Sequence, residues 1–198
     1  MRTHHVVITG TGRAGTTALV KLLTVLGKKT GFHPQTWHHW IYDPAKAGLE
    51  FDGDLANAPY ILKGPAYCDS LHDWLASGLV TIDHVIVATR DIYAAAESRR
   101  SVFRKTGNPV APGGLWDSPR PEDQERVLTE KLARLRATIA EWNVPFTDLE
   151  YPRFLRDPQY LYDRLLRPFP DIPHAQFMAA FSSVVDASLI HDYRRGGA

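Results

Sequence analysis

Apolar and polar positions alternate between two kinds of order along this chain. Val6-Val7-Ile8 is a β-branched apolar run and predicts a buried strand. Leu19, Leu22, Leu23 and Leu26 then recur at the spacing of one helix face, predicting a helix over Ala18–Leu26. The same change of period repeats downstream. Short apolar strands are predicted at Tyr60–Lys63, His84–Thr89 and Val144–Leu149. Helices are predicted around Leu71, Trp74 and Leu75, from Ile92 onward, over Pro121–Glu141, around Tyr160–Leu166 and over Ala175–Val185. Strands interleaved with helices predict an α/β protein: a mostly parallel central sheet with helices on both faces, in three layers, joined by right-handed crossovers.

Two stretches break this rhythm. Residues 28–59 form a connection far longer than the usual few residues and carry Trp37, His38, His39, Trp40, Tyr42 and Phe51. The expected role is a wall facing a substrate or a cap on the sheet. Residues 104–121 hold Gly107, Pro109, Pro112, Gly113, Gly114, Pro119 and Pro121, so a lid or a surface loop is expected there.

Composition narrows the field. At 198 residues the chain suits one domain, 1–198. A formal net charge of +1 gives no global field for nucleic acid or anionic membrane. Lys131, Arg134 and Arg136 read as a solvated helix face, and so does Arg99 at a helix end. Cys68 is the single cysteine, so no intrachain disulfide is possible, and it reads as a half-buried spectator. No apolar run approaches the ~20 residues of a membrane-spanning helix. With no secretory pattern at residues 1–5, a cytoplasmic location is expected. His33, His38 and His39 lack the spacing of a metal site, so no metal is expected.

The candidate chemistry lies where the first strand turns into the first helix. In Gly10-Thr11-Gly12-Arg13-Ala14-Gly15-Thr16-Thr17, the two outer glycines and Thr17 stand where the phosphate loop G-x-x-x-x-G-K-[ST] requires them. Thr16 occupies the lysine position, and Arg13 is the nearest cation. Such a loop sets backbone N–H groups around an anion at a helix N-terminus. Neither placed strand tip ends directly in a carboxylate that would hold magnesium. One ends in Lys63 and another in Arg90, whose neighbour Asp91 is placed to cap the next helix. Ser98 lies two turns into that helix, on reach of the same anion.

With these residues in place, the sequence resembles the sulfotransferases that use 3′-phosphoadenosine 5′-phosphosulfate. Their phosphosulfate loop, roughly G-x-x-[RK]-[SA]-G-T-T, is similar to Gly10–Thr17, and their 3′-phosphate pattern, R-[DN]-x-x-x-x-x-x-S, is similar to Arg90-Asp91 through Ser98. The strand ending in Lys63 looks like their lysine-bearing strand. The resemblance implies a P-loop fold and sulfuryl transfer to a hydroxyl or amine of a small-molecule, sugar or lipid acceptor. Gly12, Arg13, Ala14, Gly15, Thr16 and Thr17 would hold the phosphosulfate, Lys63 the leaving oxygen, and Arg90 with Ser98 the 3′-phosphate. Pro65 stands where many members carry a histidine base, and Ala18 where many carry an aromatic. A base must then come from Glu50, His33, Asp69 or His72; Glu50 and His33 lead, because residues 28–59 should border the cleft. The competing readings are an ATP–magnesium kinase and an inactive nucleotide-binding scaffold.

Overall fold

The computed structural model describes residues 2–190 and 193. Strand β1 (Thr3–Gly10) runs through the molecule's centre and feeds helix α1 (Thr16–Val25). The 28–59 connection contains a two-stranded antiparallel hairpin, β2 (Ile41–Tyr42) and β3 (Ala47–Gly48), flanked by single 3-10 turns. There follow β4 (Ile61–Lys63), α2 (Tyr67–Ser77), β5 (Val80–Thr89), α3 (Ile92–Thr106), α4 (Gln124–Glu141), β6 (Phe146–Glu150), α5 (Arg153–Arg156), α6 (Pro158–Leu165) and α7 (His174–Val184).

The main sheet has the order β4-β1-β5-β6 and every pairing is parallel. Strands buried on both sides read as continuous apolar runs, and here they sort by parity. Val6, Ile8, Ile61, Ile86 and Leu149 face a core closed by α1, α5, α6 and α7. Val7, Leu62, Val85 and Val87 face a second core closed by α2 and α4. The expected three layers are present. On α1, Leu19, Leu22 and Leu23 are fully buried, each contributing about 1.5–3 kcal/mol.

This order places the ligand end of the sheet. The chain leaves β1 for β4 on one side, then crosses back to β5 on the other. In open α/β sheets the crevice opens at the carboxyl ends of the strands where this reversal occurs, here β1 and β5. The loop after β1 and the tip of β5 are the segments singled out by their residues. Gly10 closes β1 against β5: its φ is +141°, and a side chain there would run into the Ala88 carbonyl.

Several expectations are corrected. Helix α3 continues through Thr106, so only residues 107–120 of the Gly/Pro-rich stretch are irregular. A short helix, α5, was not legible between β6 and α6. Lys131 is buried, held by Asp69 and Asp117 and set over the Trp116 ring. Arg136 is partly buried and pairs with Asp148, whereas Arg134 stays on the exposed face as expected, paired with Asp69. Cys68 is fully buried, its thiol donating to the Gly10 carbonyl, and burial raises its pKa. Arg194-Arg195-Gly196, a three-residue echo of the basic C-terminal stretch of the sulfotransferases the sequence resembles, lies outside the described residues.

Candidate functional site

A cavity of about 240 Å³ opens at the carboxyl ends of β1 and β5. Its rim and floor come from the 12–18 loop and helix start, the tips of β4 and β5, one face of α3, the hairpin turn 44–47, and the segment after α7. Among the described residues, Arg13, Lys21, Lys46, Lys63, Arg90, Arg99 and Lys105 line it against two carboxylates, Glu50 and Asp186. The chain as a whole carries a net charge of +1, so positive charge is concentrated in this cleft. Such a low-dielectric, one-signed cleft focuses its field on an anion.

The glycine loop has the backbone that its composition permits. Gly12 and Gly15 take left-handed φ values of +66° and +74°, and Arg13 between them takes +55°. A Cβ on Gly15 would press on the rings of Phe154 and Tyr151. Gly15 is also the N-cap of α1, and no side chain accepts a hydrogen bond there. An uncapped helix start following consecutive left-handed residues is a concave donor site for an anion. Ala14 is fully buried beneath it.

Two guanidinium groups converge beside this loop. Arg13 donates from Nε to Ser98 Oγ at 3.0 Å and from Nη1 to the Ala45 carbonyl at 2.6 Å. Arg90 donates from Nη1 to the Arg13 carbonyl at 2.9 Å and lies over the rings of Tyr151 and Tyr193, at 4.6 and 5.4 Å from their centroids. Burial and then the like charge of Arg90 lower the Arg13 pKa. No carboxylate pairs with Arg13 among the described residues. Ser98 is buried, and Asp91 caps α3 by accepting from Ala94 N–H at 2.8 Å, which fixes the helix start that aims Ser98 inward.

The third group is a lysine–carboxylate pair. Lys63, at the end of β4, is 3% exposed and donates to Glu50 Oε1 at 3.0 Å and to the Gly48 carbonyl at 2.9 Å. Burial lowers its pKa, with the Glu50 charge opposing that shift. Glu50 is half exposed on the cleft side. Thr17 Oγ1 also donates to the Gly48 carbonyl, at 3.2 Å.

The other base candidates stand elsewhere. His33 is exposed in a turn, where its carbonyl accepts from Thr36 and Trp37, and it does not line the cavity. Asp69 is bound to Lys131 and Arg134, and His72 is an exposed neighbour of Asp73 and Glu141. Of the four, Glu50 alone lines the cleft.

Arg99 overturns its assignment to a solvated face. It is 5% exposed, donates to the Thr11 carbonyl at 2.9 Å and to the Gly114 carbonyl at 2.8 Å, and stacks on Trp116. It thus ties the glycine loop to the 107–120 segment. Its Nε has no partner, and burial, then the charge of Arg13, lower its pKa. Arg100, by contrast, pairs with Glu97 and Glu125 away from the loop. The cleft also takes Val184 from the end of α7 and Val185, Leu189, Ile190 and Tyr193 from beyond it, and the sequence periodicity did not place these residues at the cleft.

No family model and no curated protein matches the sequence. Among solved structures, the sulfotransferase domain from the Synechococcus PCC 7002 olefin synthase aligns over 96% of this chain and 84% of its own, with a TM-score of 0.52 at 15% identity. The fold, a mostly parallel sheet flanked by helices, is like that of this domain. The sulfotransferase domain from the curacin biosynthetic pathway also aligns, over 91% of this chain and 78% of its own, at 14% identity and a TM-score of 0.48. No described helix is long and apolar enough to cross a membrane.

Proposed function

We propose that this protein transfers a sulfuryl group from 3′-phosphoadenosine 5′-phosphosulfate to a hydroxyl or amine of a small-molecule, sugar or lipid acceptor. The observation that carries this reading is the convergence of Arg13, Arg90 and Ser98 beside an uncapped glycine loop, with Lys63 a strand away. A donor with two separated anionic ends needs two such stations on one cleft. The chemistry of the residues fits it: amides and Thr16 and Thr17 for the phosphosulfate, a guanidinium and a buried hydroxyl for the 3′-phosphate. The loop lacks the lysine that serves a nucleotide triphosphate.

Sulfuryl transfer is an in-line displacement in which positioning and charge stabilisation do most of the catalysis. Glu50 takes the proton of the acceptor hydroxyl as its oxygen bonds to sulfur. The bond between sulfur and the bridging phosphate oxygen breaks, and the electron pair stays on that oxygen. Lys63 and the loop amides stabilise the charge that develops there. The hydrogen bond from the Lys63 ammonium holds the Glu50 carboxylate within reach of the same centre.

The reading is tested by incubating the protein with donor labelled at sulfur and a panel of phenols, sugars, amines and lipid alcohols. Label transferred to an acceptor, lost in Lys63→Met and Glu50→Gln, supports it. Tight binding of adenosine 3′,5′-bisphosphate without transfer to any acceptor would favour the inactive scaffold.

A further inference from the structure

Three side chains that the proposed function assigns to the donor anion are bonded to one hairpin. Lys63 and Thr17 both donate to the Gly48 carbonyl, and Arg13 donates to the Ala45 carbonyl. These donors come from β4, α1 and the glycine loop, yet they meet acceptors three positions apart. A carbonyl oxygen accepts from ammonium, hydroxyl and guanidinium groups as a phosphate or sulfate oxygen does.

We propose that the β2–β3 hairpin is a built-in plug, whose Ala45 and Gly48 carbonyls hold the anion donors until a ligand anion takes their place. This rests on reading the cleft as the donor site.

The hairpin is built to be displaced. Each of its strands has only two residues, and a lone two-stranded ribbon is marginally stable. Its turn is buried at one point, Ala45, against Val102 and Ala111. Its turn is strained: Lys46 holds a φ of +48° without being glycine. Leu49, the residue after β3, holds +62° and is fully buried in the core beside α1, which fixes the end from which the hairpin would swing. Gly48 holds +152°, and a side chain there would overlap the Trp40 carbonyl.

The donors also supply a reason for exchange rather than simple opening. Lys63 is a buried ammonium, and withdrawing the Gly48 carbonyl alone would leave it short of a partner. An incoming anion restores that partner, so hairpin withdrawal and ligand entry are coupled. The plug lowers apparent affinity by the fraction of molecules in which it is withdrawn.

Two variants loosen the hairpin without removing an anion donor. Ala111→Glu drives a carboxylate into the contact with Ala45, and Gly48→Ala pushes β3 off the Trp40 carbonyl. With folding checked by thermal melts, the first readout needs no nucleotide: the rate at which an acetylating succinimidyl ester modifies Lys63, read by peptide mass spectrometry. The plug predicts roughly tenfold faster modification in the variants. Unchanged modification in folded variants overturns it, as does a wild-type Lys63 that reacts as fast as the exposed Lys29. The second readout is affinity for adenosine 3′,5′-bisphosphate, which the plug predicts to tighten in Ala111→Glu.

Where neither variant folds, hydrogen exchange on the wild type decides. The bisphosphate should speed exchange of the 41–49 amides, and slowing there overturns the plug. Faster Lys63 modification with no bisphosphate binding by any form would uphold the plug and reject the donor reading.

Discussion

Arg13 and Ser98 lie 85 positions apart in the chain and meet through an Nε–H···Oγ bond of 3.0 Å. One belongs to the turn after the central strand, the other to the helix after its neighbour. Their contact brings the two halves of the proposed donor site into one polar cluster, with Arg90 bonded to the same turn. Replacing Ser98 with Ala removes the hydroxyl that faces this cluster. A charge-assisted hydrogen bond contributes about 1.5–3 kcal/mol, so affinity for adenosine 3′,5′-bisphosphate should fall roughly ten- to a hundredfold. Affinity for adenosine 5′-monophosphate should change far less, and calorimetric titration of both ligands checks the difference.

Glu50 and Lys63 invite a different separation. Glu50→Gln keeps an acceptor for Lys63 but cannot take a proton. Transfer should slow by about 10²- to 10⁴-fold, the range for loss of a general base, with bisphosphate affinity nearly unchanged and the melting temperature lowered, because the buried Lys63 ammonium loses its counter-charge. Single-turnover rates and a binding titration on the same preparation test this.

The lowered Lys63 pKa makes a pH prediction with a definite sign. The folded protein holds the Lys63 proton less tightly than the unfolded chain, whose lysine stays near 10.5. Between the lowered value and 10.5 the unfolded state binds more protons, so stability rises with pH across that window. Below the lowered value both states are protonated and this contribution is flat. Denaturant midpoints measured from neutral to alkaline pH should show a steeper upward slope in the wild type than in Lys63→Met.

Arg99 should matter to stability where Arg104 does not. Arg99→Met leaves the carbonyls of Thr11 and Gly114 without their donor. Each loss costs about 1–3 kcal/mol, so a destabilisation of about 2–6 kcal/mol is expected. Arg104 is more than half exposed in its pair with Glu97, and Arg104→Ala should cost less than about 1 kcal/mol. Urea unfolding of the two variants side by side measures the contrast.

The contrast between those arginines also marks the limit of what the sequence displays. The sheet was legible because Val6–Ile8, Ile61-Leu62 and Val85–Val87 are runs that only strands buried on both faces require. The glycine loop was legible because left-handed backbone at positions 12 and 15 demands glycine. Arg90 and Ser98 stood out because a strand tip and a point two turns along the next helix share one side of the sheet. Arg99 and Lys131 were not legible. Cations spaced along a polar helix face look the same whether water or a folded-back segment covers them, and the covering residues, Trp116 and Asp117, lie in a stretch without periodicity. The hairpin at 41–48 was hidden for a related reason: strands of two residues are too short to show a period. The segment from Val184 to Ile190 reads as the fading end of a helix, and its place over the cleft depends on a turn made only in three dimensions.

The central claim is that one nucleotide with an anion at each end spans the glycine loop and the Arg90–Ser98 station. Calorimetric titration with adenosine 3′,5′-bisphosphate, adenosine 5′-monophosphate and ATP–magnesium tests it most directly. The account predicts that the bisphosphate binds at least about tenfold more tightly than the other two, a difference of about 1.4 kcal/mol or more. Equal affinity for bisphosphate and monophosphate, or preference for ATP–magnesium, would contradict it.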